Sequence, residues 1–413
     1  MTAMTRFAVP KDDALPGLAA LLDVALIKAH LEPQGVLDCR VDHVRYKPGE
    51  SCLISYAATC PEGERFWYAK CLPAGAFAEA SREAAVNGRQ CIALDEVRAL
   101  LFAYPNNGRL AGLATLGRED RLRQLLSPHL PEGEIDTTIL RYKLEARAVL
   151  RCEAGGKAVY VRAYQDERGT VVFRIMGHLF RRLGPRADLA IPEPLAFVAD
   201  QRILVLGHLP GQPLRATLRT ASARADLERA GQALARLHAH EDPEAPRRTI
   251  ADHLARARRA LRRLARFAPA QERFLTTVGD VLHARAPRDQ EWVPGFVHGD
   301  FHFSQVLVDP RQIGVIDFDS AHAGPVEADL GRLLAHLRDL RLKGHLAEEH
   351  PLTEAFLQAY ARAAGRSVAP ERLSWWTALA LLHMAVWPIR GLDADGPDRV
   401  NQLLKEVADA CGL

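Results

Sequence analysis

Apolar and polar residues alternate over Thr138–Tyr142, Val149–Glu153 and Val159–Tyr164, the period of two that predicts strands. The turn Glu153-Ala-Gly-Gly-Lys157 between the last two is a hairpin signal. A similar run stands earlier in the chain. Residues 44–56 read VRYKPGESCLISY and residues 140–152 read LRYKLEARAVLRC. Each leads through a Gly-containing turn to a third apolar run, FWYAKCL at 66–72 and AVYVRAY at 158–164. The pattern predicts two small antiparallel sheets, near 40–75 and 136–165.

Elsewhere the helical period takes over. It predicts helices over Phe77–Glu96, Arg118–Leu126, Val171–Leu183, Leu227–Ala239 and Ile250–Phe267, then over Val326–Leu340, Leu352–Ala364, Arg372–Val386 and Asp398–Ala410. A strand is expected at Arg202–Leu206, and Gly295–Phe318 interrupts the helices with two short apolar runs. The arginines of Ile250–Phe267 form a stripe that reads as a solvated face rather than a phosphate contact. On the helix near 372–386, Trp376, Ala380, His383 and Trp387 share a face that would either line an acceptor pocket with aromatic surface for a sugar ring or, as expected first, pack into the core.

Composition narrows the class. Hydrophobic residues make up 48% and charged residues 25% of the 413, the balance of a chain that buries a large core. Lys+Arg is 54 and Asp+Glu 51, a net charge of +3, which argues against nucleic acid as a partner. Only Lys11, Lys28, Lys47, Lys70, Lys143, Lys157, Lys343 and Lys405 are lysines, so a phosphate-binding lysine has few candidates. The seven cysteines lack CxxC pairs or ligand spacing, which points to reduced thiols in a cytoplasmic protein. The segment MTAMTRFAVPKDD has no apolar core of a secretory signal, and no apolar run of roughly 18 residues predicts a membrane span.

The chemistry concentrates in 297–319, VHGDFHFSQVLVDPRQIGVIDFD. His298-x-Asp300 is followed by Gln305, an apolar run at Val306–Val308, a turn at Asp309-Pro-Arg-Gln, and a second run ending in Asp317-Phe318-Asp319. A loop, a hairpin and a second loop would set Asp300 and Asp317 at adjacent ends of one small element. Phosphoryl transfer needs that layout. One carboxylate orients the acceptor hydroxyl and takes its proton, while a second carboxylate and an amide oxygen hold Mg²⁺ against the nucleotide phosphates.

The segment resembles the catalytic core of the aminoglycoside phosphotransferase and choline kinase-like family, a branch of the protein-kinase-like fold. His298-Gly299-Asp300, His302, Leu307 and Ile316-Asp317-Phe318-Asp319 match its H-G-D-x-H-x-x-N-x-L and I-D-F/W-D/E patterns. Gly324–Asp329-Leu330 is similar to the family's G-x-x-x-x-D-L, and Leu234-Ala-Arg-Leu-His238 to its L-x-x-L-H. Leu204-Val-Leu-Gly-His-Leu-Pro-Gly211-x-Pro-Leu214 resembles the hinge and following turn. The likeness spans roughly 137–390, with some similarity to capped sugar kinases such as maltokinase.

The resemblance implies an α+β, bilobal protein-kinase-like fold: a small antiparallel-sheet N-lobe and a helical C-lobe, preceded by a β-rich cap. The implied division is 1–130 for the cap, 131–212 for the N-lobe and hinge, and 213–413 for the helical lobe with the catalytic loop. It further implies an ATP-dependent phosphotransferase acting on a hydroxyl of a small metabolite, a sugar or amino sugar preferred. ATP and Mg²⁺ are the implied cofactors, with neither nucleic acid nor membrane as partner. Asp300 would be the catalytic base, Asp317 and Gln305 the metal ligands, and Arg162, Leu206, His208 and Leu209 the nucleotide contacts. His298 and Asp329 would support the loop.

Three positions depart from the family pattern. Gln305 stands for asparagine and is one methylene longer. Arg162 stands for the lysine of the third N-lobe strand, and the two are not equivalent as phosphate ligands. The helix after that strand, Val171–Leu183, has no glutamate to hold the cation, unless Glu167 or another segment of the chain supplies it. Lys70 with Glu79 or Glu83 offers such a pair in the first β-rich unit, and Lys143 and Lys157 lie nearby in the second. These departures motivate a competing expectation, a degenerate kinase-like protein that binds nucleotide or a partner with little transfer.

Overall fold

The computed structural model describes residues 7–413 except 87–89, 107–109, 144–145, 185–187, 243 and 289–293. Two short helices, α1 (Leu18–Leu22) and α2 (Val24–Leu31), lead into a meander of β1 (Asp38–Lys47), β2 (Ser51–Cys60) and β3 (Gly63–Cys71). Helix α3 (Ala74–Val86) precedes β4 (Ile92–Leu94), β5 (Ala99–Ala103), α4 (Leu113–Leu116) and α5 (Glu119–Leu126). A second meander follows, β6 (Asp136–Lys143), β7 (Arg147–Ala154) and β8 (Lys157–Tyr164), then α6 (Arg168–Leu183). Short strands β9 (Leu189–Ala190), β10 (Pro194–Val198), β11 (Ile203–Gly207) and β12 (Gln212–Pro213) precede α7 (Leu214–Thr217), α8 (Ala223–His238), α9 (Ile250–Phe267) and α10 (Glu272–Ala284). Next come β13 (Pro294–Val297), β14 (Val306–Val308), β15 (Ile313–Val315) and β16 (His322–Pro325). The remainder is helical: α11 (Glu327–Leu342), α12 (His350–Ala364), α13 (Pro370–Met384), α14 (Trp387–Gly391) and α15 (Gly396–Cys411). No helix among the described residues is long and apolar enough to cross a membrane.

The chain divides into two compact units, one of residues 1–169, 197–205 and 387–397, the other of 170–196, 206–386 and 398–413. The first unit holds the sheet β1-β2-β3-β5-β4 and most of the sheet β10-β11-β8-β7-β6. Helix α2 starts where the Asp23 carboxylate accepts from the Ala25 and Leu26 amides, an N-cap. Leu18, Leu21, Ile27 and Leu31 then bury against Val41, Ile54, Tyr56 and Ala69, with Leu392 closing the same core. Strand β7 alternates buried and half-buried residues, whereas β2 is buried along nearly its whole length. On β3, the Tyr68 ring meets those of Phe102 and Tyr142 at 4.9 and 6.3 Å.

The two meanders share their register. Lys47 pairs Ser51 and Lys143 pairs Arg147 across the first turns. Lys70 lies opposite Leu53, and Arg162 opposite Val149. Leu53 and Val149 are the tenth residues of the two similar segments, and Lys70 and Arg162 the fifth of the two third runs. The likeness read from sequence is therefore one of strand pairing as well.

One expected element differs. The helix predicted over Phe77–Glu96 ends at Val86, and Ile92–Leu94 pairs with Ala99–Leu101 as an edge strand. Burying Leu94 beside the sheet core outweighs continuing a helix that buries only Ala84.

In the second unit, Thr249 and Asp252 form a reciprocal capping box that starts α9. Helices α11 and α13 touch closely at Gly331, where a Cβ would stand 2.5 Å from the Trp376 Cβ. That approach brings Trp376 beside the first turns of α11. The hairpin β14–β15 sits in the sheet β12-β14-β15-β9, and β13 pairs with β16.

Candidate active site

The loop after β13 turns because Gly299 has φ +78°, and a Cβ there would stand 2.3 Å from the Ser320 carbonyl oxygen. Only glycine fits this turn. Fully buried Asp329, at the start of α11, fixes the loop. Its carboxylate accepts from the backbone amides of His298 at 2.7 Å and Gly299 at 2.8 Å, and meets His238 Nε2 at 3.2 Å. Burial alone would raise the Asp329 pKa. The His238 hydrogen bond, the nearby imidazoles and the Gly299 amide more than offset it, leaving the carboxyl below the usual range. His238 is itself held through Nδ1 by the Tyr360 hydroxyl at 2.9 Å.

His298 braces the loop from within. Its Nε2–H donates to the Ile316 carbonyl at 2.9 Å, and its Nδ1 accepts from the Asp300 amide at 3.3 Å. The loop is thereby tied to the residue before Asp317. His298 is fully buried.

Asp300 is partly exposed, its side chain at 30%. Arg332, one turn after Asp329 on α11, grips its Oδ1 through Nε at 2.9 Å and Nη2 at 2.7 Å. The other oxygen, Oδ2, lies 3.9 Å from His302 Nε2. His302 stacks on His336 of α11 with ring centroids 4.2 Å apart. Burial, with Arg332 and His298 nearby, lowers the His302 pKa to about 4 despite the opposing pull of Asp300 and Asp317. The imidazole beside Asp300 is therefore neutral at pH 7.

Across the hairpin, Asp317 has φ 69° and starts a short 3₁₀ turn, a left-handed conformation that aspartate tolerates better than most residues. Gln305 Nε2 donates to Asp317 Oδ2 at 3.4 Å. Turned about its amide, Gln305 would present oxygen to the same place. One carboxylate and one amide oxygen are the hard donors that Mg²⁺ takes alongside phosphate and water, so this pair fits such an ion. Among the described residues no group of three His, Cys, Asp or Glu does.

The expected hinge also lies near this hairpin. Leu206 is buried at the end of β11, and the Gly207 amide donates to Glu193 O at 2.8 Å. The Leu209 side chain lies against β15, where a Cβ on Gly314 would meet it at 2.7 Å. His208 stands between them in sequence. Arg162 is on β8 of the first unit, half-buried. Glu167 is engaged by Arg202 Nε at 2.8 Å, while Lys157 is exposed and the Lys143 side chain lies outside the described residues.

Sequence reasoning singled out Asp300, Asp317, Gln305, His298 and Asp329, and the second unit brings all five together. It missed Arg332 and His336. Both follow Asp329 at helical spacings of three and seven residues, so a face-by-face reading of α11 would have pointed them at the same loop.

A model of the phosphotransferase enzyme family matches residues 129–376. No curated protein sequence matches the chain. Among solved structures, a Ralstonia eutropha protein provisionally assigned as an aminoglycoside phosphotransferase has 14% identity. It covers 70% of this chain and 96% of its own, with a TM-score of 0.55. Choline kinase from Cryptosporidium parvum has 12% identity over 71% of this chain and 95% of its own, at 0.53. A thermostable mutant of aminoglycoside phosphotransferase APH(4)-Ia has 18% identity over 71% and 98%, at 0.51. At these identities the likeness shows a kinase-like fold, as expected.

Proposed function

Since the chain belongs to the phosphotransferase enzyme family, we propose that it moves the γ-phosphoryl group of ATP to a hydroxyl of a small metabolite of the sugar type. The observation that carries this reading is the pairing of two differently held carboxylates on one hairpin. Asp300 has one oxygen locked by Arg332 and one left over. Asp317 lies beside an amide side chain.

In this reading Asp300 Oδ2 accepts the proton of the acceptor hydroxyl. The acceptor oxygen bonds to the γ-phosphorus as the bond to the ADP oxygen breaks. Arg332 keeps Asp300 aimed, so that proton transfer follows a fixed direction. Asp317 and Gln305 would hold Mg²⁺, which neutralises phosphate charge when bound. The backbone of Leu206–Leu209 would receive the base, and Arg162 would contact phosphate. Residues 1–130 would form the cap, 131–212 the N-lobe with its hinge, and 213–413 the catalytic helical lobe.

ADP release from MgATP in a panel of hydroxylated metabolites tests the reading. Acceptor-dependent release that disappears in Asp300→Asn supports it. Nucleotide binding that ignores Mg²⁺, with no release for any acceptor, would support the competing view of a degenerate binding protein.

A further inference from the structure

Besides Arg332, a second arginine is electrostatically coupled to Asp300. Arg256, on α9, makes no ion pair among the described residues. Burial, reinforced by Arg248, Arg332 and Arg259, brings its pKa down to about 10, and Asp300 acts in the opposite sense. Asp300 thus couples to two guanidinium groups, and Arg332 already occupies one of its oxygens.

Beside Arg256 lie ring nitrogens with no protein partner: Nε2 of His253, His322 and His383, and Nε1 of Trp376. His253, His322 and Trp376 are only 8%, 1% and 2% exposed. The His253 ring meets Trp376 at 4.7 Å and His322 at 5.9 Å. His383 joins them through a hydrogen bond to the Arg256 backbone. Burial and the neighbouring cations lower His253 and His383 to about 3 and His322 to about 4. At pH 7 these imidazoles are neutral, so each offers a hydrogen-bonding nitrogen rather than a charge. Buried polar atoms are normally partnered. Ring nitrogens left without a protein partner beside Arg256 suit the oxygens of a polar ligand, and the unpaired Arg256 guanidinium gives that ligand its sign.

We infer that the acceptor is a hydroxylated acid, its carboxylate or phosphate taken by Arg256, its other oxygens by His253, His322, His383 and Trp376, and its reacting hydroxyl by Asp300. The inference rests on the kinase reading for the reaction but not for the binding. During transfer the hydroxyl proton passes to Asp300 Oδ2, the new P–O bond forms, and ADP leaves. An amino sugar, the acceptor type considered from sequence, would bring a cation into a field of cations. A carboxylate or phosphate would meet a guanidinium that binds either in two-point fashion.

The test compares glucose, glucosamine, gluconate, glucuronate and glucose 6-phosphate on the intact protein. Binding is read by calorimetry without nucleotide, and transfer by ADP release with MgATP. At least one acid should bind about tenfold or more tighter than glucose and glucosamine. Arg256→Gln should remove that advantage, and Arg256→Lys should restore much of it. The lysine variant, checked by its unfolding midpoint, guards against a mere folding defect. The carboxylate and phosphate arms tell the two anion sources apart. Glucosamine binding better than every acid, no acid binding, or acid binding indifferent to Arg256→Gln would each overturn the inference. Transfer only to glucose or glucosamine would overturn it while leaving the kinase reading intact. Acid binding that depends on Arg256, with no ADP release from any acceptor, would do the reverse.

Discussion

Asp300 and Asp317 are the same chemical group on the same hairpin, yet the chain surrounds them in opposite ways. Asp300 is gripped by the Arg332 guanidinium, with the His302 imidazole 3.9 Å from its other oxygen. Asp317 sits in a left-handed turn with the Gln305 amide at 3.4 Å. A carboxylate pinned by a cation is held directional, suited to taking a proton from an uncharged hydroxyl. A carboxylate beside an amide can share a hard cation brought in with phosphate. The difference teaches that roles are divided here by neighbours, not by the carboxylates themselves.

Substitutions at the two positions should separate those roles. Asp300→Asn should lower the transfer rate by about 10²–10⁴-fold and leave MgATP affinity within a few-fold. Turnover like that of the parent protein would erase the distinction. Asp317→Ala should instead weaken Mg²⁺-dependent nucleotide binding, by about 100-fold or more, a loss of about 2.7 kcal/mol; unchanged MgATP affinity in a calorimeter would refute it.

On the Asp300 side the buried imidazoles add a pH signature. His253, His302, His322 and His383 have folded pKa values lowered to about 3–4, below the usual imidazole value. The unfolded chain therefore binds their protons first as the pH falls. Their contribution to stability is intact above about pH 6.5 and declines toward pH 4, by up to about 1.4 kcal/mol per pH unit for each. Unfolding free energies measured across that window should fall with acid, and His322→Gln should flatten the slope. A flat profile in the parent protein would contradict the buried, neutral assignment.

Smaller effects sharpen the Asp317 side. Arg162→Ala should weaken ATP binding or turnover by at least about tenfold, with Lys70→Ala much milder. The opposite ranking would move the phosphate contact to the first meander. Gln305→Asn should leave the rate unchanged or slightly lower, because the loop is built around the longer side chain. A clear rise in rate would favour the degenerate reading.

Much of this was legible in the chain because local patterns decide it. The span Ile250–Phe267 was read to the residue from its amphipathic period, and the structure adds the capping box of Thr249 and Asp252 at its start. The segment 297–319 was readable because two carboxylates bracket short apolar runs, and the register of the meanders followed from their shared spacing. Long-range burial was not legible. Nothing in Leu18–Leu31 announces that these helices cover the first sheet, with Leu392 beside them. Arg256 looked like any arginine of its stripe, and most of that stripe is exposed, as read. Its place beside His253 and His383 is decided by the packing of α9 on α13, which the period of one helix does not encode.

Helix α11 carries Asp329, Arg332, His336 and Asp339 at spacings of three, four and three residues. The first holds the loop amides, the second aims Asp300, the third stacks on His302, and the fourth pairs with Arg399. The consequence is a common mode of failure. A small roll of this one helix would disturb all three supports of the loop together, so damage to any two should combine less than additively. In a double-mutant cycle, Arg332→Met in a chain already carrying His336→Ala should cost visibly less activity than it does alone.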